Sequence, residues 1–380
     1  MLSRNTNAQI FQRLYSSISN TTTRDVGFMP RFEFPNYNIP LTDFKGHQVK
    51  ALKKFEKLAP QLNMLLELRD VRAPLSTRNI LFDKVMAPES RLPRLIVYTK
   101  KDLIINNNAY LKRLKTWHEE IGEKFLLMDC KNSVDVKNLM KVIEWESYSA
   151  IKSNNIPLPM GYRILVAGMP NVGKSTLVNS LKSLARKNDY TLSGKAKKVA
   201  RTGGQAGVTR STSECIRISP RSAQSQGIYL IDSPGIGTPG RVANVNRMLS
   251  LSLCGCVKSD LIDPIIQADY LLYLMNLQDA KKGDYFYPGD VESPSNDIYE
   301  VLKRVKNKRK IDDIPTSIQW VDQWRQTRGG IILDPELLLQ CDEFSYRNYV
   351  KGELSKLGDL YSGGVDLKNK YSNNKKIFRN

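Results

Sequence analysis

Six apolar runs with the length and composition of β-strands recur over the first 232 residues. They are LLEL (65–68), RLIVY (94–98), KFLLM (124–128), YRILVAG (162–168), CIRIS (215–219) and IYLID (228–232). Segments with apolar residues at helical spacing lie between most of them, for example at 135–148 and 175–187. Strands that alternate with helices predict an α/β fold built on a mostly parallel six-stranded sheet.

A different pattern begins after the last of these runs, where leucine-rich segments at helical spacing dominate. It predicts a small, mostly helical C-terminal domain over residues 241–365, followed by a basic flexible tail at 366–380. Ahead of the sheet, closely spaced prolines predict an extended arm at residues 26–48. The amphipathic stretch VKALKKFEKLAPQL (49–62) predicts a helix at the start of the sheet-forming domain, 49–240.

The first 24 residues contain three arginines and no acidic residue, and they are rich in serine, threonine and asparagine. Their apolar residues fit one side of a helix. This composition is typical of a mitochondrial transit peptide, which we predict over residues 1–25. An ordinary disordered basic tail is the alternative interpretation.

The formal net charge of +20 favours polyanionic partners, nucleic acid before anionic lipid. Basic residues cluster at 186–201, in KRVKNKRK (303–310) and in the tail, where each cluster is either an RNA contact or a solvated face. The five cysteines form no C-x-x-C pair, which argues against a zinc site or disulfide framework and fits a reducing compartment. No run of 18 apolar residues occurs.

The stretch GMPNVGKS (168–175) matches the phosphate-binding pattern G-x-x-x-x-G-K-[ST], with an apolar strand before it and a helix after it. Backbone N–H groups of such a loop surround a phosphate, and the helix N-terminus adds positive potential. Lys174 is expected to reach the β- and γ-phosphates, and Ser175 to hold Mg²⁺. The predicted phosphate-loop contacts are Asn171, Val172, Gly173, Lys174, Ser175 and Thr176.

The tetrapeptide DSPG directly follows the sixth run. Asp232, at a strand end beside the phosphate loop, is expected to hold Mg²⁺ through water, and the Gly235 N–H to reach a γ-phosphate. A threonine that completes the Mg²⁺ shell should lie between the two motifs. Thr209, in the glycine-rich GGQAGVTRS, is the best candidate, and Thr202 and Thr212 compete with it.

The second run ends in TKKD (99–102), which matches the base-reading motif [N/T]-K-x-D of guanine-nucleotide proteins. Asp102 would accept hydrogen bonds from guanine N1–H and the exocyclic amine, a donor pair that adenine lacks. Lys100 would lay its alkyl stem over the ring. After the next strand, Cys130 and Lys131 in DCK stand where a short loop supports the guanine oxygen. These motifs precede the phosphate loop, the reverse of the usual order.

This order, together with DVRAP (70–74) as a D-x-R-x-P signature, resembles the YlqF/YawG (RbgA-like) family of circularly permuted GTPases. The similarity covers roughly residues 40–280. It implies a P-loop GTPase domain with permuted motifs, with Mg²⁺ as its cofactor. It further implies work on the rRNA of the large ribosomal subunit. Together with the N-terminal signal, the expected location is the mitochondrial matrix, with peripheral contact to the inner membrane. We expect a monomer.

Three positions bear on hydrolysis. Ile236 stands where Ras-like proteins place a water-orienting glutamine, which predicts slow basal turnover completed by the ribosomal particle or by another element. The resemblance suggests His47 as that element. Its alternative role is that of a loop or helix-start residue that touches RNA or its own backbone. Asn171 either coordinates a catalytic K⁺ or simply forms a turn.

The sequence therefore favours a mitochondrial GTPase that promotes or checks large-subunit assembly and so supports mitochondrial translation. One alternative is a GTP-gated rRNA-binding scaffold whose hydrolysis is not essential, and another is a basic peripheral membrane protein. Since DSPG leads directly into the C-terminal helices, the nucleotide state is expected to set their orientation. The second histidine, His118, lies in the polar stretch KTWHEE and is predicted to be on the surface.

Overall fold

The computed structural model describes residues 28–44, 46–85, 92–104, 108–154, 158, 160–188, 215–221, 226–240, 243–279, 294–306, 311–326, 330–339 and 344–362. The predicted transit peptide, the basic tail, Thr209 and its two competitors lie outside these residues. So do most of the basic positions in 186–201 and the last four residues of KRVKNKRK.

Six strands form one sheet in the order β3-β2-β1-β4-β6-β5. They are β1 (Met64–Asp70), β2 (Arg94–Thr99), β3 (Lys124–Leu127), β4 (Tyr162–Gly168), β5 (Ile216–Arg221) and β6 (Gln226–Asp232). All neighbouring pairs are parallel except β5 and β6, which are antiparallel with a register shift between Arg217 and Ser219. Each of the six apolar runs is thus a strand, and the mostly parallel sheet is confirmed.

The helices connect and cover these strands. Within the described residues they are α1 (Gly46–Leu58), α2 (Ile80–Val85), α3 (Asn108–Ile121), α4 (Ser133–Asn154), α5 (Lys174–Asn188), α6 (Val245–Leu253), α7 (Pro264–Asp279), α8 (Ile298–Lys306), α9 (Asp313–Gln326), α10 (Glu336–Leu339) and α11 (Tyr346–Ser362). None of them combines the length and apolar composition needed to cross a bilayer.

Alternating residues of the strands serve the two faces of the sheet, as the strand period of two requires. Leu66 and Leu68 of β1 belong to a cluster with residues of α4 and α5, whereas Leu65 packs with Phe55 of α1. The first cluster continues into buried residues of α6, α7 and α9. The described part of the chain after residue 240 is mostly helical, and its predicted division into a separate domain remains a proposal.

The surface position predicted for His118 is wrong. Its side chain is fully buried, and its ring stacks on Phe125 with 4.6 Å between ring centroids. Nε2 lies 3.0 Å from the Tyr98 hydroxyl, and Nδ1 lies 3.1 Å from a carboxylate oxygen of Glu123. Burial lowers the pKa of this imidazole. The residue is buried because α11 brings Tyr346 over the helix, with 5.3 Å between that ring and the histidine.

Candidate functional site

A cleft of ≈ 1110 Å³ opens at the carboxyl ends of the central strands, where open α/β sheets bind ligands. The sheet register places Asp70 beside Thr99, and Leu68 beside Gly168, so that three strand ends meet there. Eight predicted site residues line the cleft together: Thr99, Lys100, Asp102, Cys130, Lys131, Asn171, Gly173 and Thr176.

The base-reading loop is directly joined to the phosphate loop. The Thr99 side chain is 1% exposed, and its hydroxyl donates to the backbone carbonyl of Val172 over 2.7 Å. The same oxygen lies 3.1 Å from the carbonyl of Arg69 on β1. A threonine in place of the more usual asparagine therefore keeps a hydrogen bond between the two motifs.

Lys100 adopts a left-handed backbone conformation with φ of 60°, and the 3₁₀ turn Lys101–Leu103 follows it. Its ammonium group donates to Asp70 over 2.8 Å. The same carboxylate accepts from the backbone N–H and guanidinium of Arg72. These cations hold the pKa of Asp70 well below its usual range, although burial opposes them. The D-x-R-x-P signature thus holds the lysine that is predicted to lie over the base.

The loop DCK is fixed by its own aspartate. The Asp129 carboxylate accepts from the backbone N–H of Lys131 over 2.8 Å, which closes a local turn. The Cys130 carbonyl accepts from the Ser180 hydroxyl of α5 over 2.7 Å. Burial raises the pKa of the Cys130 thiol to about 12, so this side chain stays a neutral part of the wall.

The phosphate loop curls tightly between β4 and α5. Asn171 and Gly173 have φ of 57° and 98°, a conformation that glycine adopts without strain and asparagine more readily than most residues. The Asn171 amide donates to the carbonyl of Cys254, at the end of α6, over 3.4 Å. The phosphate loop therefore contacts the C-terminal helices directly.

Two opposite charges lie at the inner end of the loop. The Lys174 ammonium is nearly buried and donates to the Met169 carbonyl over 2.6 Å, and burial lowers its pKa to about 8. The Asp232 side chain is 1% exposed, and its Oδ1 has no hydrogen-bond partner among the described residues. Burial raises the pKa of Asp232 and the nearby Lys174 opposes that shift. Such an unpaired carboxylate oxygen fits a site for a cation.

The segment after Asp232 packs against the phosphate loop. A Cβ atom at Gly235 would lie 2.6 Å from the backbone of Pro170, so only glycine fits this approach. The next residue, Ile236, is fully buried in an apolar cluster and its N–H donates to Gly168.

Sequence reasoning missed two residues that hold this segment. The Asn79 amide donates to the carbonyls of Ile236 and Gly237 over 2.8 and 3.1 Å. From α1, the Gln48 side chain accepts from the Gly237 N–H over 2.6 Å. Both contacts join positions more than 150 residues apart, so no local sequence pattern predicts them.

Sequence reasoning also missed the outer wall of the cleft. The C-terminal helices supply it through Ser317, Ile318, Val321, Asp322, Arg325 and Gln326 of α9, with Pro264 and Gln267 of α7. Arg325 caps α6 by donating to the carbonyls of Ser252 and Leu253 over 2.6 and 3.0 Å.

Three predicted residues stand apart from this description. His47 lies in the first turn of α1, one residue before Gln48, and its side chain is outside the described residues. Thr209 lies outside them altogether. Ser175 starts α5 together with Lys174, at the phosphate end of the site.

Residues 163–313 match the family model described as 50S ribosome-binding GTPase, so the match begins in β4 and leaves out β1, β2 and β3. Mitochondrial GTPase 1 of Saccharomyces cerevisiae is 57% identical over 353 residues, 92% of this chain and 95% of that protein. Mitochondrial ribosome-associated GTPase 1 of Xenopus tropicalis is 32% identical over 267 residues, 70% of this chain and 79% of its own. The structure of GNP-bound YlqF from T. maritima matches 76% of this chain and 99% of its own, at 19% identity and a TM-score of 0.41.

Proposed function

This chain is a GTPase of the circularly permuted family that includes mitochondrial GTPase 1, and from that premise we propose that it promotes or checks assembly of the large mitochondrial ribosomal subunit. Relatives named as mitochondrial and ribosome-associated support this proposal, as do the net charge of +20 and the arginine-bearing N-terminus. The finer location is the matrix side, with a peripheral contact to the inner membrane, and the proposed state is a monomer. Carbonate extraction and gel filtration test these two points.

One observation carries the nucleotide part of the proposal: the Thr99–Val172 hydrogen bond joins the base-reading loop to the phosphate loop across a shared cleft. In this arrangement Asp102 reads guanine, Lys100 lies over the base, and Cys130 and Lys131 support the guanine oxygen. The phosphate loop, from Asn171 to Thr176, binds the phosphates, and the Gly235 N–H senses the γ-phosphate.

Guanine recognition by Asp102 is testable with inosine triphosphate, which lacks the exocyclic amine. The wild-type protein should prefer GTP, and Asp102→Ala should lose that preference because the acceptor is gone. Asp260 lines the same cleft, so Asp260→Ala is the matched control and should retain it. An Asp102→Ala protein with wild-type preference contradicts this role.

Mg²⁺ is the cofactor that GTPases of this kind generally use, and its proposed ligands are Ser175, Thr209 and, through water, Asp232. The unpaired Oδ1 of Asp232 supports this assignment. When bound, the ion neutralises charge on the β- and γ-phosphates. The chain's own contribution is to hold Lys174 and the buried carboxylate beside the loop.

Hydrolysis is proposed to be slow without a partner. Ile236 is buried among apolar side chains and offers no group that could orient water. The candidates to complete catalysis are His47 and a K⁺ ion bound by the amide oxygen of Asn171, whose nitrogen already donates to Cys254. A cation there supplies positive charge where other GTPases use an arginine.

The decisive experiment measures GTP turnover with and without large-subunit particles, in K⁺ and in Na⁺. Stimulation by particles, larger in K⁺, is the expected result. Lys174→Ala should abolish turnover and tight binding, whereas Lys115→Ala, on the exposed surface of α3, should change neither. Turnover that ignores the particles would contradict the assembly role.

The buried Ile236 also favours a second candidate, a GTP-gated rRNA-binding scaffold in which hydrolysis is not essential. His47→Ala separates the two functions if it abolishes turnover and leaves nucleotide binding intact. Normal ribosome assembly in that variant supports the scaffold, and failed assembly supports the enzyme.

We further propose that the nucleotide state sets the position of the C-terminal helices. The hydrogen bond from Asn171 to Cys254 supports this coupling, as does the direct passage from Gly237 into α6. The same small-angle scattering profile with GDP and with a non-hydrolysable GTP analogue, in the free and the particle-bound protein, would contradict it.

A further inference from the structure

The outward face of α4 carries a row of side chains that the nucleotide site does not use. The positions at intervals of three and four residues are Val134, Lys137, Lys141, Trp145, Tyr148 and Lys152. At 3.6 residues per turn, they fall within a sector of about 80° and extend over about 27 Å. The opposite side of the helix is the core side, with Val136, Leu139 and Ile143 buried.

The large apolar and aromatic side chains of this row are exposed to solvent. Trp145 is 68% exposed, Val134 61% and Tyr148 54%, and the three lysines are exposed as well. Nearby, Glu144 lies at the edge of the row, and Glu146 is paired with Lys124 over 2.5 Å. The row therefore combines exposed rings with a positive charge.

We propose that this face of α4 binds single-stranded RNA, with unpaired bases stacked on Trp145 and Tyr148 and the lysines beside the phosphates. The inference rests on the proposed work on ribosomal RNA and names a surface for it. Any base can stack on an exposed aromatic ring. The bases of a duplex are already paired and stacked on one another, so they are not available to such a ring. The three lysines along the same face supply the positive charge that binds a phosphate backbone.

The order of residues distinguishes this face from a membrane-binding one. A helix that inserts into lipid has a continuous apolar face with its lysines on the polar side. On α4, Lys152 lies at the same angular position as Val134, and Lys141 lies about 40° from Trp145, so both lysines fall inside the sector of the exposed apolar and aromatic side chains. Insertion of the rings into lipid would carry these ammonium groups toward the bilayer. An RNA strand, in contrast, offers bases to the rings and phosphates to the ammonium groups.

Trp145 supplies its own spectroscopic probe. The chain has four tryptophans, and the other three, Trp117, Trp320 and Trp324, are at most 5% exposed. A single-stranded 15-nucleotide oligo(A) should quench the exposed component of the fluorescence, and an RNA duplex of the same length should quench it much less. Trp145→Phe should remove the signal and retain binding.

Affinity for the fluorescein-labelled oligo(A) should fall roughly 5- to 150-fold in Trp145→Ala and in Tyr148→Ala, since stacking of one base is lost in each. Tyr299 of α8 is 58% exposed, so Tyr299→Ala is the matched control and should bind normally. Log affinity falls as log salt rises, and Lys141→Gln should make this negative slope shallower by about 0.7 because one phosphate contact is lost.

Several results would overturn the inference. One is equal quenching of the Trp145 fluorescence by duplex and by single-stranded RNA. Another is unchanged oligo(A) affinity in Trp145→Ala. The third is a blue shift of the fluorescence with vesicles of anionic phospholipid, together with no quenching by RNA. Basal GTP turnover and its stimulation by particles are measured on the same variants. Normal stimulation with unchanged oligo(A) affinity in Trp145→Ala rejects this surface alone, whereas a wild-type protein that ignores the particles rejects the assembly role.

Discussion

The hydrogen bond between Thr99 and Val172 offers the sharpest test of how the two halves of the nucleotide site are joined. Thr99→Val replaces the hydroxyl by a methyl group of similar volume, so the buried position is neither emptied nor crowded. The carbonyl of Val172 then loses the donor that lies 2.7 Å away. Water cannot replace this donor easily, because the position is 1% exposed.

A buried acceptor left without its donor costs about 1–3 kcal/mol. We therefore expect Thr99→Val to lower the free energy of unfolding by about 1–3 kcal/mol in urea titration. Binding of GTP and GDP should weaken by about 3- to 10-fold, because the free energy of joining the two loops must now come from the nucleotide. Fluorescent nucleotide titration measures the second effect.

Thr99→Ser is the matched control, since it keeps the hydroxyl and removes the methyl group. Its nucleotide affinity should stay within about twofold of wild type. If Thr99→Ser weakens binding as much as Thr99→Val, the methyl packing and not the hydrogen bond joins the loops. Unchanged affinity and stability in Thr99→Val would refute the reasoning altogether.

Three further predictions concern the surroundings of the site. Gly235→Ala should impair GTP binding more than GDP binding in nucleotide titrations, because its Cβ would lie 2.6 Å from the backbone of Pro170. Gln48→Leu removes the acceptor for the Gly237 N–H, so hydrogen exchange in residues 226–240 should accelerate, while Gln61→Leu should leave it unchanged. The pKa of Glu123 is lowered from 4.5 to about 2 by its buried imidazole partner and nearby arginines, against burial. Its contribution to stability is thus present above pH 4.5 and lost toward pH 2, and urea titrations should show the deficit of Glu123→Gln disappearing over that interval.

The strands could be predicted from the sequence because each one corresponds to a local sequence pattern. A short apolar run bounded by polar residues can be recognised without knowledge of its neighbours, and so can a phosphate loop between a strand and a helix. The early position of TKKD predicted the permuted order for the same reason. The strand order, with β1 and β4 at the centre, agrees with that interpretation.

Long-range contacts explain what sequence reasoning missed. His118 sits in a polar stretch, yet α11 covers it from 228 positions away with Tyr346. A signal was present, because Tyr110, Leu114 and Trp117 place the buried stripe of α3 next to it. For Gln48 and Asn79 the partners are backbone groups distant in sequence, which composition and periodicity do not encode.

The bond between Gln48 and Gly237 joins positions 189 residues apart, at the points where the chain enters and leaves the nucleotide-binding sheet. Thr42 of the N-terminal arm adds a second contact, to the carbonyl of Thr238. The arm and α1, which precede the sheet, are thus attached to the residues that follow Gly235, the proposed γ-phosphate contact. Thermodynamic reciprocity then applies to the arm. If a partner binds the arm more tightly in the GTP-bound protein than in the nucleotide-free protein, that partner must raise the affinity for GTP by the same factor.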